Sequence, residues 1–304
     1  MAPMTKEIDS GAETGFDRLL QFTLPDRHAR GRIVRLGPAL EDILAAHPYP
    51  PALKHLLSEA LVLTALMGAL LKDDGSQLTL QAQADEGIVN LLVCDFRGGE
   101  LRGYARHDEE RFAALGANPA LQELFGGGFL AITFDLPASG QRYQGVVPLE
   151  GDSLSHAVER YFAQSEQVPT LIRTGVRGGH GGIIAGGMLV QHLAEGEEGR
   201  ERLHVRMDHP EWEHVAALAE TLTEDELVDA GLSLEALVWR LFHEEREVRV
   251  LPGDAITRGC RCSVVHFEKV LASFPKEDRN DMRDENGIIR VDCAFCSREF
   301  LIED

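Results

Sequence analysis

The spacing of apolar residues changes period several times along the chain, and the changes divide it. Around Phe16 to Phe22 the apolar positions fit an amphipathic helix, and the following "RGRIVRLG" fits a strand. Pro38 stands where a first helical turn tolerates proline, ahead of "ALEDILAAH". Pro50 and Pro51 open a longer helix to about Leu71 that is apolar on most faces, so it should lie at the centre of a core. From Ser76 the period is 2: in "QLTLQAQA", Leu78, Leu80 and Ala82 alternate with polar residues, as in a half-buried strand. "IVNLLVCDF", "ELRGYARH" and "FLAITFDL" continue that pattern, with "GGE", "GGG" and "PASG" as turn signals. Asp152 or Ser153 can cap a helix reaching about Gln164, after which "TLIRTG" and "GIIAGGMLVQHL" return to strand. Residues 1–193 therefore read as a large N-terminal α+β core domain, with strand and helix runs segregated more than alternated.

A different composition begins at Ala194. Residues 195–250 hold sixteen acidic and six basic residues, half of the formal net charge of −20 in under a fifth of the 304 residues. The segment still carries helical periodicity. Val215, Leu218, Ala219 and Leu222 follow i, i+3, i+4, i+7, Thr223 and Glu226 fit a capping box, and Leu234, Leu237, Val238 and Leu241 repeat the spacing. Short helices draw most of their stability from packing an apolar face, so 194–253 is expected to be a metastable helical linker, ordered only while docked. Gly231, the Leu251-Pro252-Gly253 run and the acidic excess are expected to ease undocking. A small third unit is expected over 254–304.

The acidic balance argues against nucleic acid as the main partner, because phosphate binding draws on clusters of Lys and Arg. The first twenty residues have no apolar run after a basic start, so no export is expected, and a cytoplasmic, reducing compartment follows. "LVLTALMGALL", Leu61 to Leu71, falls well short of the roughly 20 residues that span a bilayer, and no membrane partner is expected. The glycine-rich "RGGHGGIIAGG" at 177–187 lacks the Lys-Ser/Thr of a phosphate loop and leads into a strand, so it reads as a tight hairpin and not a nucleotide site. Cys94 reads as a small buried hydrophobe. His180, His192, His204, His209 and His214 lack metalloprotease spacing and read as surface or linker residues. No nucleophile–base arrangement stands out.

The remaining four cysteines fall within the 37 residues from Cys260 to Cys296. In a reducing compartment, close cysteine pairs more often bind metal or act as redox groups than staple a fold. Cys260-Arg-Cys262 and Cys293-Ala-Phe-Cys296, thirty residues apart, form two chelating hooks, and four thiolates suit a closed tetrahedral zinc site. His266 is then a bystander to a full ligand set. Such a site carries a charge of −2 within acidic sequence, and Arg258, Arg261 and Arg298 are candidates to offset it. Spacing makes a permanent zinc staple the default reading. A reversible site is the alternative, because a Cys-x-Cys pair closes a disulfide only with strain, and strained disulfides are the more readily reduced. Zinc ligation contributes roughly 10–16 kcal/mol to the folding of such modules, so oxidising the ligands would unfold the unit.

Longer stretches carry a resemblance. "RYQGVVPLEGDSL", "YFAQSEQVPT", "AGGMLVQHL" and the "ALVWRLFHEEREVRV" that leads into the cysteines make nearly the whole chain similar to the redox-regulated 33-kDa heat-shock chaperone family of bacteria. The resemblance implies an ATP-independent holdase and not an enzyme. Zinc on four reduced cysteines keeps the family inactive; oxidants with unfolding conditions form two disulfides, here Cys260 with Cys262 and Cys293 with Cys296. Zinc is then released, the linker unfolds, and the protein dimerises and binds unfolding proteins. Apolar surface uncovered by undocking would hold the clients, with Leu218, Leu222, Leu237, Val238 and Leu241 as candidates. The chain departs from the family pattern in ending eight residues after Cys296 and in the start of its linker, "EGEEGRERLHVRMDHPEW". Two other classes stay open. A thiol–disulfide oxidoreductase would use Cys293 and Cys296, although that pair does not open the helix of a βαβ unit; a zinc-ribbon nucleic-acid binder is opposed by the charge.

Overall fold

The computed structural model describes residues 15–73, 75–179, 182–193 and 208–303. The N-terminal fourteen residues, His180, His204 and the linker start at 194–207 lie outside the described residues. The first element is a strand, β1 (Arg18–Leu24), where the apolar spacing predicts a helix. The run fits both periods, and its neighbours decide: β1 is hydrogen-bonded between β2 (Ala29–Leu36) and β10 (Arg249–Ala255) in a sheet with two apolar faces. Leu20, Phe22 and Leu24 go to one face and Leu19 to the other.

After β2 come α1 (Pro38–Leu44) and α2 (Pro51–Gly68), both with proline in the first turn as predicted. The strands β3 (Gln77–Gln83), β4 (Val89–Arg97) and β5 (Glu100–His107) form a meander, followed by the short helices α3 (Glu109–Ala113) and α4 (Leu121–Phe125). A hairpin of β6 (Phe129–Leu136) and β7 (Gln141–Pro148) precedes α5 (Leu154–Tyr161), which Ser153 caps by accepting from the His156 N–H at 3.3 Å. β8 (Thr170–Gly179) and β9 (Gly182–His192) pair through the glycine-rich stretch as the tight hairpin that its sequence predicts. The linker helices are α6 (Pro210–Glu220), α7 (Glu224–Leu227) and α8 (Leu234–Phe242). β10 and the two-residue β11 (Thr257–Arg258) lead to α9 (Val264–Leu271), α10 (Lys276–Asp281), β12 (Ile288–Asp292) and β13 (Glu299–Glu303).

The strands form a five-stranded sheet, β10-β1-β2-β9-β8, a six-stranded sheet, β11-β5-β4-β3-β6-β7, and the isolated hairpin β12-β13. This is the α+β arrangement expected. Helix α2 packs against strands of both larger sheets and is buried without interruption from Ala60 to Gly68, which explains the all-round apolar character of its second half. One face of the five-stranded sheet joins α2 in the main core through Val34, Leu36 and Leu189; the alternate residues Ile33, Met188 and Val190 point the other way.

That second face is where the linker sits. Trp212, Val215, Ala219, Leu222, Leu227, Leu237, Val238, Leu241 and Phe242 are buried against it. Polar contacts hold the register. Arg35, with 0% of its surface exposed, donates to the carbonyls of Leu227 at 2.8 Å, Leu232 at 2.5 Å and Glu226 at 3.2 Å. Arg173 reaches the Leu222 carbonyl at 3.3 Å, and Arg177 the Val228 carbonyl at 2.6 Å. These carbonyls lie at helix ends and turns, and apart from that of Glu226, which also accepts from the Asp229 N–H at 3.3 Å, they lack helical partners. Backbone also meets backbone closely: a Cβ on Gly186 would come within 2.5 Å of the Leu227 oxygen, and one on Gly175 within 2.7 Å of the Glu224 oxygen.

Two features expected to ease undocking act otherwise. Acidic side chains fasten the linker, since Arg27 pairs with both Glu211 and Glu245, the latter at 2.7 Å and shared with His214 at 2.6 Å. Leu251, Pro252 and Gly253 lie within β10, where Leu251 pairs with Gln21 and Pro252 with Leu20 of β1 and Gly253 falls at a shift of register. Both tryptophans of the chain are in the linker, Trp212 buried and Trp239 64% exposed, so Trp212 emission reports docking. Arg35→Met removes a charged donor from three carbonyls. It should raise the undocked population of the reduced protein roughly 10- to 100-fold, the equivalent of about 1.5–3 kcal/mol, measured as a red-shifted emission and faster amide exchange over 210–242.

Candidate metal centre and its docking face

The first hook enters from β11, where the Gly259 N–H donates to the Leu101 carbonyl at 2.9 Å. Ser263 then caps α9 by accepting from the His266 N–H at 3.2 Å. The second hook is the tight turn between β12 and β13. The N–H groups of Cys296 and Ser297 both donate to the Cys293 carbonyl, at 3.3 and 2.8 Å, and Ser297 takes a left-handed φ of 55°. These two turns bring the sulfurs together. Cys260 and Cys262 are 3.2 Å apart at Sγ, and 3.5 Å separates both Cys260 from Cys293 and Cys262 from Cys296.

All four sulfurs lie within 4.8 Å of one another, a group able to hold a metal ion. Tetrahedral ligation at about 2.3 Å per sulfur sets sulfur–sulfur edges of about 3.8 Å, so the donor set fits a zinc-sized ion with small adjustment. The thiols are free, far beyond the roughly 2.05 Å of a disulfide. Their ionisation is mutually constrained. Burial raises the Cys260 pKa, but the Cys262 N–H and the neighbouring thiols of Cys262, Cys293 and Cys296 all stabilise its thiolate and bring it down to about 7. Burial and the same neighbours push Cys262 up, and burial pushes Cys293 up. One negative charge is accommodated among the sulfurs; four call for a cation.

Little else holds this unit together. Leu271, Ile289, Phe300 and Ile302 are its buried hydrophobic residues beside Cys293, with Phe267, Val291 and Phe295 half-buried around them. A core this small rarely folds alone, which makes ligation a folding contribution in its own right. His266 stands edge-on to Phe267 and outside the sulfur group.

Arg261, a candidate to offset the sulfur charge, points the other way. Successive side chains of an extended segment alternate sides, so a residue between two inward cysteines faces outward. Its guanidinium lies 3.6 Å from Asp95 and 3.7 Å from Glu100 and donates to the Gln77 side chain at 3.2 Å, all on the six-stranded sheet. The second hook touches the same unit. Phe295 packs under the Arg102 guanidinium at 3.9 Å and edge-on to Tyr104 with ring centroids 4.9 Å apart. The His47 ring contacts the Ala294 carbonyl at 2.8 Å, and the Ser297 hydroxyl donates to the Ala46 carbonyl at 2.7 Å. Asp95, Arg102, Tyr104 and His47 are site neighbours that sequence reasoning missed, because nothing local to them marks a contact with residues so distant in the chain.

A family model described as Hsp33 protein matches residues 17–303. The chain belongs to the Hsp33 family. The 33 kDa chaperonin of Caulobacter vibrioides is 40% identical over 305 residues, covering 97% of this chain and 98% of that protein. The 33 kDa chaperonin of Yersinia pestis is 35% identical over 290 residues, covering 94% and 92%. A crystal structure of the Thermotoga maritima 33 kDa chaperonin matches with a TM-score of 0.76 over 94% of this chain and 95% of that one, at 22% identity, and so shares the fold. Hsp33 membership supports a chaperone as the coarse assignment, and the four gathered cysteines fit the zinc and redox chemistry expected of it. Among the described residues no helix is long and apolar enough to cross a membrane.

The other sequence candidates divide. Leu222, Leu237, Val238 and Leu241 are buried between linker and sheet, and Leu218 packs at the edge of that cluster. Cys94 is fully buried in β4, away from the sulfur group, and burial pushes its thiol well above the ordinary range. Iodoacetamide at pH 8 should therefore leave Cys94 unmodified in the folded protein and label it after denaturation; peptide mass mapping checks this, and labelling at the rate of a free thiol would contradict the burial.

Proposed function

We propose that this Hsp33-family chain is a redox-regulated, ATP-independent holdase, inactive when reduced and zinc-bound and active when oxidised. Cys260, Cys262, Cys293 and Cys296 hold one zinc ion, which cross-links the two hooks of a switch unit at 254–304. Peroxide oxidation pairs Cys260 with Cys262 and Cys293 with Cys296. Each thiolate pair gives two electrons to one peroxide, which takes up two protons from solvent and leaves as two waters. Zinc is released as its thiolate ligands are consumed, and the unit loses the ligation on which its folding depends.

The observation that carries this reading is the convergence of four thiols in a unit with so small a core, continuous in chain with helices that cover an apolar sheet face. Loss of the unit releases the linker, 194–253, from the core domain, 1–193. The uncovered surface, including Leu218, Leu222, Leu237, Val238 and Leu241, binds unfolding proteins in the cytoplasm, and the active form is a homodimer.

The test compares reduced and peroxide-treated protein at elevated temperature for zinc content, free thiols and suppression of light scattering by an unfolding client. One zinc per chain should be lost together with four thiols, and only the oxidised form should suppress scattering without ATP. Zinc retained after oxidation, or equal suppression by both forms, would sink the reading. Turnover of a small disulfide substrate would favour an oxidoreductase.

A further inference from the structure

The residues between the cysteines of each hook touch the core, flanked by the contacts of Gly259 and Ser297. Arg261 is the single residue inside Cys-x-Cys, and Ala294 and Phe295 are the two inside Cys-x-x-Cys. All three contact one patch made by β4, β5 and the turn after α1: Asp95, Glu100, Arg102, Tyr104 and His47. We propose that this patch is the receptor through which the core domain reads the cysteine centre, with Arg261 and Phe295 as the parts that dock. The proposal rests on the redox reading above and adds where its signal crosses into the core.

Geometry supplies the coupling. With all four sulfurs gathered, each hook is held by cross-hook neighbours, Cys260 against Cys293 and Cys262 against Cys296. Pairing within a hook instead draws two Cβ atoms to about 3.5–4.5 Å and closes a very small ring. In the first hook the backbone torsions inside the ring are ψ of Cys260, φ and ψ of Arg261 and φ of Cys262, so closing it redirects the Arg261 side chain. In the second, Ala294 and Phe295 absorb the rotation.

The docked Arg261 is also weakly held. Arg102 already occupies Asp95 Oδ2 with two donors at 2.8 and 2.6 Å, and Thr79 takes Oδ1 at 2.6 Å. Arg261 is thus a second cation on an engaged carboxylate, and its Nη1 is buried without a hydrogen-bond partner. Hook geometry, more than attraction, keeps it in place.

From the hook the chain runs directly through both sheets. Gly259 and Thr257 donate to Leu101 and Gly99 as β11 lies parallel to β5, Ile256 donates to Asp17, and β10 pairs with β1 at the C-terminal end of the linker helices. β11 is two residues long and has little hold of its own. Undocking of the hooks therefore frees β11, then β10, and removes the anchor behind α8.

The test uses full-length, reduced, zinc-loaded protein and two variants on opposite sides of the contact, Tyr104→Ala in the core and Phe295→Ala in the unit. Amide exchange at 249–258 should rise at least tenfold in Tyr104→Ala while one zinc and four protected thiols per chain remain, separating undocking from metal loss. Phe295→Ala should match it where its zinc is retained, and the double variant should add little, since both remove one contact. Peroxide-treated wild-type protein should show the same amides released. Unchanged exchange at 249–258 in zinc-loaded Tyr104→Ala, or continued protection there after oxidation of the wild type, overturns the proposal. A wild type that loses zinc and releases these amides yet does not suppress client aggregation would defeat the holdase reading and leave the docking receptor standing.

Discussion

Arg35 is a buried cation whose hydrogen bonds all go to backbone carbonyls of the linker. Burial lowers its pKa, with Asp229 opposing that shift, so the charge is kept at a desolvation cost that the linker offsets only while docked. Undocking returns the guanidinium to water. A hydrophobic residue in its place would leave three linker carbonyls without this donor while docked. The arrangement makes the cover specific in register, because three carbonyls from separate points of the linker must meet one guanidinium.

The same balance recurs at the cysteine unit. Its apolar core is too small to fold on its own, so order there depends on what the sulfurs bind. Docking on the six-stranded sheet relies on a cation that shares a carboxylate with another cation, and on one aromatic side chain. Both covers, linker and unit, are tied to the core domain by polar contacts from residues distant in the chain. The core beneath them is different in kind: from Ala60 to Gly68, α2 is fully buried between two sheets.

Much of this was legible in the sequence. α1, α2 and the β3–β5 meander followed from apolar period and proline placement, and the caps at Ser153 and Thr223 from local hydrogen-bonding chemistry. The four-cysteine centre was legible from spacing, because ligands close in sequence must be close in space. β1 was not, since a seven-residue run with apolar residues at several positions satisfies both helical and strand periods. Nor were β10 and β11, which carry few apolar residues and take their form from backbone bonds to β1 and β5.

Taken alone, then, the sequence determined what is short-range: element periods, caps, hooks and the amphipathic stripes of a marginal linker. Tertiary structure decided which surfaces those stripes cover, that acidic linker residues fasten on Arg27, and that Arg261 faces Asp95 and not the sulfurs. The physical reason is one of range. Periodicity and chelation are set by neighbours along the chain, whereas the partner of a buried charge or an unpaired strand edge comes from segments far away in sequence, and no local pattern names it.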